Sequence, residues 1–253
     1  MRKSSFTRFI PRFLYAPLLR SYLSFRYLSD FLRFRAKAQK DNRFSLLWRD
    51  RLPQLFDNTS ATNFDTHYIY HPAWAARILA KTQPKEHIDI ASTLSFSSIV
   101  SAFLPVRFYD YRPAHLPLTG LQSAQADLRA LPFADDSIPS LSCMHAMEHI
   151  GLGRYGDPLE PGADITAAKE LTRVLARNGN LLFVVPVGKS KIAYNAHRIY
   201  SYAQVRKLFP TLVLKEFSLV PDGALTCGML ENATEQESDA QTYGCGCFWF
   251  VKE

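Results

Sequence analysis

The sequence lacks any long apolar run. No window of 18 consecutive uncharged apolar residues occurs among its 253 residues, which excludes a clear transmembrane helix. The N-terminus carries the positive charge that begins a secretory signal. However, Arg8, Arg12 and Arg20 interrupt the part that would have to be apolar, and no clean cleavage site of small residues follows. We therefore expect a cytoplasmic protein.

Cysteine is scarce, and its spacing predicts no metal site. The four cysteines are Cys143, Cys227, Cys245 and Cys247. None belongs to a C-x-x-C pair, and no histidine lies at zinc-finger spacing from the C-x-C that the last two form. We expect four reduced thiols and no bound metal ion.

Acidic residues are nearly absent from the N-terminal segment. Residues 1–51 contain 13 Lys and Arg but three Asp and no Glu, a net charge of +10 in a chain of net charge +7. The remaining residues therefore carry a net charge of −3. Because the body of the protein is slightly acidic, we do not expect nucleic acid as a partner.

The same N-terminal segment has an amphipathic pattern. Apolar residues recur at helical spacing from Phe6 to Leu32, Arg and Lys lie between them, and Pro11 and Pro17 predict one or two breaks. A basic amphipathic stretch in residues 1–40 is typical of peripheral contact with an anionic membrane, but the same apolar stripe could pack on the rest of the protein. Both interpretations stay open.

A polar cluster of Asn, Thr, Ser and Asp then indicates a connection, with a boundary near Asn63. We expect a helical extension over residues 1–62 and an α/β domain over residues 63–253. Strands are predicted at 87–90, 106–110, just before 127, 141–144 and 180–187, with late strands at 213–220 and 247–252. Helices are predicted over 71–81 with Pro72 near its start, over 97–103, and between an N-cap at Asp164 and Gly179.

The alternation of strands and helices predicts a doubly wound, mostly parallel sheet, in which the two late strands suit an antiparallel edge. Ligands of such sheets bind beyond the carboxyl ends of the strands. Asp110 ends the second strand, where a carboxylate can accept hydrogen bonds from both ribose hydroxyls. Asp127 ends the third strand, where it can read an adenine edge together with the amide of Leu128.

A loop of Gly and polar side chains follows the fourth strand, over residues 148–157. Such a loop at this edge is a place where a substrate is held. His149 and His197 are the candidate general bases because histidine titrates near neutral pH, and Glu148 could orient one of them. Alternatively, His149 only caps the local backbone.

Further side chains in this region could bind an acceptor. Arg154 and Arg198 could clamp a carboxylate or phosphate, Tyr155 and Asn195 could contact sugar-like hydroxyls, and we place Asp157 in the same group. Alternatively, Arg198 pairs with an acid of the loop as part of the scaffold.

Three blocks of this sequence, at residues 127–137, 145–149 and 170–181, resemble the succession found in class I S-adenosylmethionine-dependent methyltransferases. More narrowly, residues 148–157, 186–188 and 195–201 resemble the domain-of-unknown-function 268 family, which is methyltransferase-like. The resemblance covers about residues 67–225. It implies a seven-stranded sheet of the Rossmann-like type, with S-adenosylmethionine lying over the first two strands.

The resemblance also assigns cofactor-binding residues after the first strand. Asp89 and Ser92 could bind the methionine amine, Ala91 occupies a turn that is rich in glycine in the family, and His145 is placed with them. We expect an S-adenosylmethionine-dependent methyltransferase with a small-molecule or glycan-like acceptor. The alternative is a non-catalytic binding or scaffolding protein that keeps the fold, since a Cβ in the turn can push the backbone off the cofactor.

Overall fold

The computed structural model describes residues 12–38 and 43–253, with side chains from residue 16 onward. The chain separates into two compact units, Met1–Asn63 and Phe64–Glu253. The beginning of the predicted amphipathic stretch, including Pro11, lies outside the described residues.

The first unit contains the helix α1, Arg12–Lys37, and a 3-10 turn, Trp48–Asp50. Trp48 packs edge-on against Phe31 of the helix, with ring centroids 4.8 Å apart. The predicted break at Pro17 is wrong. Pro17 is the sixth residue of α1, where its missing amide removes only one helical hydrogen bond close to the free amides of the N-terminus. None of the described helices combines the length and the apolar character needed to cross a membrane.

The second unit is built around one sheet. Its strands, together with those of a small hairpin, are β1 His87–Ile90, β2 Val106–Asp110, β3 Leu121–Gln125, β4 Ile138–Met144, β5 Leu175–Val187, β6 Lys191–Ala193, β7 His197–Ile199, β8 Val213–Val220 and β9 Gly244–Val251. Its helices are α2 Thr66–Thr82, α3 Leu94–Val100, α4 Ala163–Val174, α5 Tyr202–Leu208, α6 Ala224–Cys227 and α7 Glu235–Asp239.

The sheet has seven strands in the order β3-β2-β1-β4-β5-β9-β8, and β6 pairs with β7 in the separate hairpin. All neighbouring pairs from β3 to β5 are parallel, whereas β9 runs antiparallel to both β5 and β8. The prediction of a doubly wound, mostly parallel seven-stranded sheet is confirmed. Of the two late strands, only β9 runs antiparallel to strands β1 to β5.

Helices cover both faces of this sheet, as the nearly continuous apolar run in β5 predicts. Along β5, Phe183 and Val185 belong to the apolar core on one face, with α4 and α5. Leu182 and Val184 belong to the core on the other face, with α2 and α3. Both cores are buried, so the sheet holds the ends of its strands rigidly in place.

Several predicted element boundaries need correction. The helix α2 begins at Thr66 instead of residue 71, because Asp65 caps it by accepting a hydrogen bond from the Tyr68 amide. Pro72 therefore lies inside this helix. Asp164 is not an N-cap: α4 begins one residue earlier, and the Asp164 carboxylate accepts a hydrogen bond from the Tyr200 hydroxyl.

The remaining boundary corrections concern short segments. Gly179 does not end α4, since β5 begins directly after that helix and contains Gly179. The helix α3 begins three residues before the predicted start, where Thr93 caps it. The third strand ends two residues before Asp127. Between the two late strands, α6 and α7 are only four and five residues long, so the sequence shows no helical period there.

Candidate functional site

Two adjoining cavities open at the carboxyl ends of β1 to β4. The first cavity, of about 240 Å³, lies over the ends of β1, β2 and β3. The second cavity, of about 530 Å³, lies beside it near the hairpin of β6 and β7. His145, His149 and Tyr155 line both cavities. This is the edge at which parallel α/β sheets bind their ligands.

The turn after β1 forms one wall of the first cavity. Ala91 lines this cavity and has a φ of +54°, in the left-handed region that glycine adopts more easily. Its amide donates a hydrogen bond to the carbonyl of Tyr109, at 2.7 Å. The backbone therefore keeps a conformation suited to a glycine although the residue is alanine.

The acids at the ends of the next two strands also line the first cavity. Asp110 accepts a hydrogen bond from the Arg112 amide at 2.7 Å. Nε and Nη2 of Arg129 donate to the two carboxylate oxygens of Asp127, at 3.1 and 2.7 Å, and these hydrogen bonds hold the pKa of Asp127 below its ordinary value. The backbone at Leu128 lines the cavity as well, and no described residue accepts a hydrogen bond from its amide.

Asp89 and Ser92 do not line either cavity, in contrast to the prediction that they bind the methionine amine. Asp89 is fully buried, and its carboxylate accepts hydrogen bonds from the hydroxyls of Ser97 and, at 2.6 Å, Ser142. The Ser92 hydroxyl accepts a hydrogen bond from the Met144 amide at 3.1 Å. These two polar side chains hold β1, α3 and β4 together, so they are not available to a ligand.

A buried acid lies between two histidines at the junction of the cavities. Glu148 is 1% exposed and accepts a hydrogen bond from Nδ1 of His145, at 2.8 Å. Nε2 of His149 lies 3.7 Å from the same carboxylate oxygen. Burial raises the pKa of Glu148, but the hydrogen bond from His145 and the neighbouring His149 ring outweigh this effect, so the pKa lies below its ordinary value. Glu148 is therefore a carboxylate.

The histidine predicted as a base projects into this junction. Nδ1–H of His149 donates a hydrogen bond to the carbonyl oxygen of Ala196, at 2.6 Å. In the neutral ring, Nε2 therefore keeps a free lone pair. Arg154 also donates to this carbonyl, at 3.1 Å. His197 lines the second cavity, and its pKa is lowered mainly by burial. Its ring centroid is 6.5 Å from that of His149.

The polar loop after β4 is held from inside. The Asp157 carboxylate accepts hydrogen bonds from the amides of Gly151 and Tyr155, at 2.7 and 3.1 Å. Arg198 is 5% exposed and donates to the carbonyls of Ile150 and Pro161, at 2.6 and 3.1 Å. One interpretation of the sequence was that Arg198 clamps a ligand. The structure contradicts it, because the guanidinium is already bound to these carbonyls. Arg198 is part of the scaffold, although its partners are mainly backbone carbonyls instead of the acids considered above.

Of the eight predicted catalytic and acceptor-binding residues, the structure brings six to the second cavity. They are Glu148, His149, Arg154, Tyr155, Asn195 and His197. Asp157 lines the first cavity instead. Of the seven predicted cofactor-binding residues, five line the first cavity: Ala91, Asp110, Asp127, Leu128 and His145.

The sequence interpretation missed other residues of the site. Tyr68 and Tyr243 line the second cavity, and the Arg112 guanidinium lies 4.7 Å from the ring centroid of Tyr155 in the first. Tyr68 lies at the start of α2 and Tyr243 directly before β9, far apart in the sequence. No local pattern could indicate that these segments meet.

Residues 135–220 match the family described as "Caenorhabditis protein of unknown function, DUF268". This match confirms the predicted resemblance to the domain-of-unknown-function 268 family over the fourth and fifth strands and the polar loop between them. No curated protein matches the chain.

Solved structures extend the likeness to most of the second unit. A SAM-dependent methyltransferase of Thermotoga maritima is 11% identical, with a TM-score of 0.52, over 74% of this chain and 92% of that one. The [4+2]-cyclase SpnF is also 11% identical, with a TM-score of 0.50, over 72% and 84%. The YcgJ protein of Bacillus subtilis is 14% identical, with a TM-score of 0.48, over 72% and 99%. The chain therefore has the class I methyltransferase fold. Because a cyclase shares it, activity must be argued from the site.

Proposed function

We propose that this domain of the class I methyltransferase fold transfers a methyl group from S-adenosylmethionine to a polar small-molecule or glycan-like acceptor. The observation that carries the proposal is the pair of joined cavities at the carboxyl edge of the sheet. One cavity has acids placed for a nucleoside, and the other has histidines placed for proton removal. A two-substrate reaction needs both reactants held side by side, and two cavities that share a wall can do this.

The first cavity suits the adenosine part of the cofactor. Asp110 would accept hydrogen bonds from the two ribose hydroxyls, and the free amide of Leu128 would donate one to the adenine edge. Asp127 is already paired with Arg129, so its main role would be to position this amide and not to contact the base. When bound, S-adenosylmethionine supplies an electrophilic methyl group on a sulfonium sulfur.

The second cavity suits an acceptor that loses a proton. Methyl transfer is an in-line displacement, in which the acceptor oxygen or nitrogen forms a bond to the methyl carbon while the bond from carbon to sulfur breaks. Nε2 of His149 would take the acceptor proton, and Glu148, 3.7 Å away, would stabilise the resulting imidazolium. Arg154 and Asn195 would orient the acceptor, because both line the cavity with polar groups.

The proposal is tested by binding of S-adenosylmethionine to wild type, Asp110→Ala and Asp239→Ala, measured by isothermal titration calorimetry. Asp239 is a matched control, because its carboxylate also accepts one backbone amide, that of Tyr202 at 2.8 Å, and it lines neither cavity. Asp110→Ala should bind the cofactor about 100-fold more weakly than wild type. It would lose two hydrogen bonds to the ribose, and each hydrogen bond to a charged group contributes roughly 1.5 kcal/mol.

Asp239→Ala should bind as tightly as wild type. If wild type released no heat and showed no thermal shift with the cofactor, the proposal would fail and the non-catalytic alternative would be favoured. Equal affinity of Asp110→Ala and wild type would reject the ribose contact.

We also propose that the N-terminal unit contacts an anionic membrane surface. One stripe of α1 presents Leu18, Tyr22, Phe25, Leu28 and Leu32, which are 41–74% exposed. The segment around this stripe is strongly basic. An exposed apolar stripe flanked by cations suits the boundary between lipid headgroups and acyl chains.

A further inference from the structure

A buried cluster of histidine and cysteine lies beneath the junction of the two cavities. His67 and His71 lie one turn apart on the buried face of α2. Cys245 lies at the start of β9, on the face of the sheet that this helix covers, and His145 follows the end of β4. The fold thus brings four ligand-type side chains from three distant segments to one place. None of them is needed for the proton transfer proposed above.

The geometry of three of these side chains fits one metal ion. A ring nitrogen of His67, a ring nitrogen of His145 and the sulfur of Cys245 all lie within 4.8 Å of one another. The two imidazole rings have centroids 5.4 Å apart. Two imidazoles on one tetrahedral ion, bound at about 2.0–2.1 Å through nitrogen, hold their centroids at about this separation.

His145 has an unpartnered nitrogen within this cluster. Its Nδ1–H donates to the Glu148 carboxylate, so Nε2 is the atom that would give up its proton and offer a lone pair to an ion. Nε2 of His145 is buried and has no hydrogen-bond partner among the described residues, and the same is true of Nε2 of His71. A buried polar atom without a partner costs free energy, and an ion bound by His145 would remove this cost at its Nε2.

His145 also has a left-handed backbone conformation, with a φ of +53°. This conformation is costly for a residue with a Cβ and is retained where the surrounding structure requires it. It turns the chain sharply at the end of β4, so that the ring lies beside α2 and Cys245. The strained backbone is thus what places the His145 ring in the cluster.

We propose that His67, His145 and Cys245 form a binding site for a zinc-class transition-metal ion, with Glu148 as the second-sphere acid that orients His145. Imidazole and thiolate ligands suit zinc and its neighbours, whereas Mg²⁺ and Ca²⁺ require oxygen. Hydrogen bonding of a ligating histidine to a carboxylate recurs in zinc sites. Three protein ligands leave one position of a tetrahedral ion for water or a small molecule.

This proposal replaces the expectation of no metal that followed from the sequence. That expectation rested on the absence of ligands at short spacing around Cys245 and Cys247. The two histidine ligands lie 178 and 100 residues before Cys245. On binding, the Cys245 thiol and Nε2 of His145 release their protons to solvent, and the thiolate and the imidazole lone pair bond the ion. The ion itself is neither oxidised nor reduced.

The test is titration of the chelator-treated, fully reduced, full-length protein with Co²⁺, which replaces zinc and has a visible spectrum. We expect about one ion per chain and an absorption band for thiolate-to-cobalt charge transfer. Cys245→Ser should abolish this band and weaken binding by more than about 100-fold. Cys247→Ser is the matched control, because Cys247 is equally buried on the same strand and is not one of the three ligands. It should keep both band and stoichiometry.

Glu148→Gln should keep the band and weaken binding by about 10- to 100-fold, as loss of a second-sphere carboxylate does. Thermal unfolding without metal shows whether each variant is folded. Wild type that binds no Co²⁺ overturns the proposal whatever the variants do, and so does an unchanged band in folded Cys245→Ser. Loss of the band in Cys247→Ser alone would assign the ligand to the wrong cysteine and would also reject the site as stated.

Discussion

Ala91 lies in the turn after β1, where it lines the first cavity with a left-handed backbone conformation. Its φ of +54° places an L-residue in the left-handed region, at a cost of about 1–2 kcal/mol. We therefore expect Ala91→Gly to raise the free energy of unfolding by about 0.5–1 kcal/mol, since glycine removes this strain but loses more chain entropy on folding. Equilibrium unfolding in urea measures the change. Cofactor affinity should not fall.

The control for this change is Ala76→Gly in the middle of α2. There the backbone is helical, so glycine should lower the free energy of unfolding by about 1 kcal/mol. If both variants were destabilised equally, the left-handed turn would store no strain.

At the residue scale, the sequence predicts strand ends better than side-chain directions. Asp110 and Asp127 could be placed at the cavity because they come at or just after the ends of parallel strands. Asp89 could not be placed correctly, because the face to which it points depends on the register of β1 against β4. Arg198 looks like a ligand clamp in the sequence, and only the fold shows that backbone carbonyls surround it.

At the scale of elements, β1 and β4 are joined by a buried polar strip. His87 and Asp89 lie on one face of β1, and Ser140 and Ser142 lie on the same face of β4. Both ring nitrogens of His87 are 2.8 Å from a serine hydroxyl, and Ser142 donates to Asp89 at 2.6 Å. Burial lowers the pKa of His87 to about 3 and raises that of Asp89 to about 6.

These two shifts act on stability with opposite signs. Between pH 6.5 and 3 the unfolded chain protonates His87 and the folded protein does not, so acid removes stability. Between pH 3.8 and 6 folded Asp89 holds a proton that the unfolded chain has released, so its contribution is present at low pH and is lost as pH rises through 6. In the shared window the two contributions nearly cancel.

Single variants should therefore separate the two slopes. Relative to wild type, Asp89→Asn should lose about 1.4 kcal/mol of unfolding free energy per unit of pH on acidification from 6 to 4, because His87 then acts alone. His87→Gln should gain about as much over the same range. Denaturant unfolding at several pH values gives both differences. Parallel curves for wild type and either variant would contradict the assigned shifts.

The order of the seven sheet strands and of the helices α2, α3 and α4 was predictable because buried parallel strands and amphipathic helices leave clear apolar periods, whereas β6, β7 and α5 were not predicted. The short helices α6 and α7 were not predictable, since four or five residues complete barely one turn. Nor could the sequence predict the meeting of α2 with β9, which follows from crossovers between distant segments. The second cavity and the proposed metal site both depend on that meeting.

At the scale of the whole molecule, charge is divided between the two units. The N-terminal segment carries a net charge of +10 in residues 1–51, and the rest of the chain carries −3. An acidic body would be repelled from an anionic surface, so attraction must come from the N-terminal unit. This division predicts that the proposed membrane binding and the proposed cofactor binding can be altered separately.

The sharpest test of this division is Phe25→Glu in the exposed stripe of α1. Phe25 is 74% exposed, and burying such a side chain in lipid contributes about 2–3 kcal/mol, so the variant should bind vesicles containing phosphatidylserine at least about tenfold more weakly. Sedimentation with these vesicles, and with neutral phosphatidylcholine vesicles, measures the binding. Added salt should weaken wild-type binding, because the electrostatic part is screened.

Phe103→Glu is the matched control, because Phe103 is a similarly exposed phenylalanine of the other unit and should sediment as wild type does. Both variants should bind S-adenosylmethionine with unchanged affinity, since neither side chain lines a cavity at the sheet edge. Equal pelleting of wild type and Phe25→Glu would reject the membrane contact. Equal loss by both variants would show that any added charge disfavours the vesicle, because the effect would then not depend on the stripe of α1.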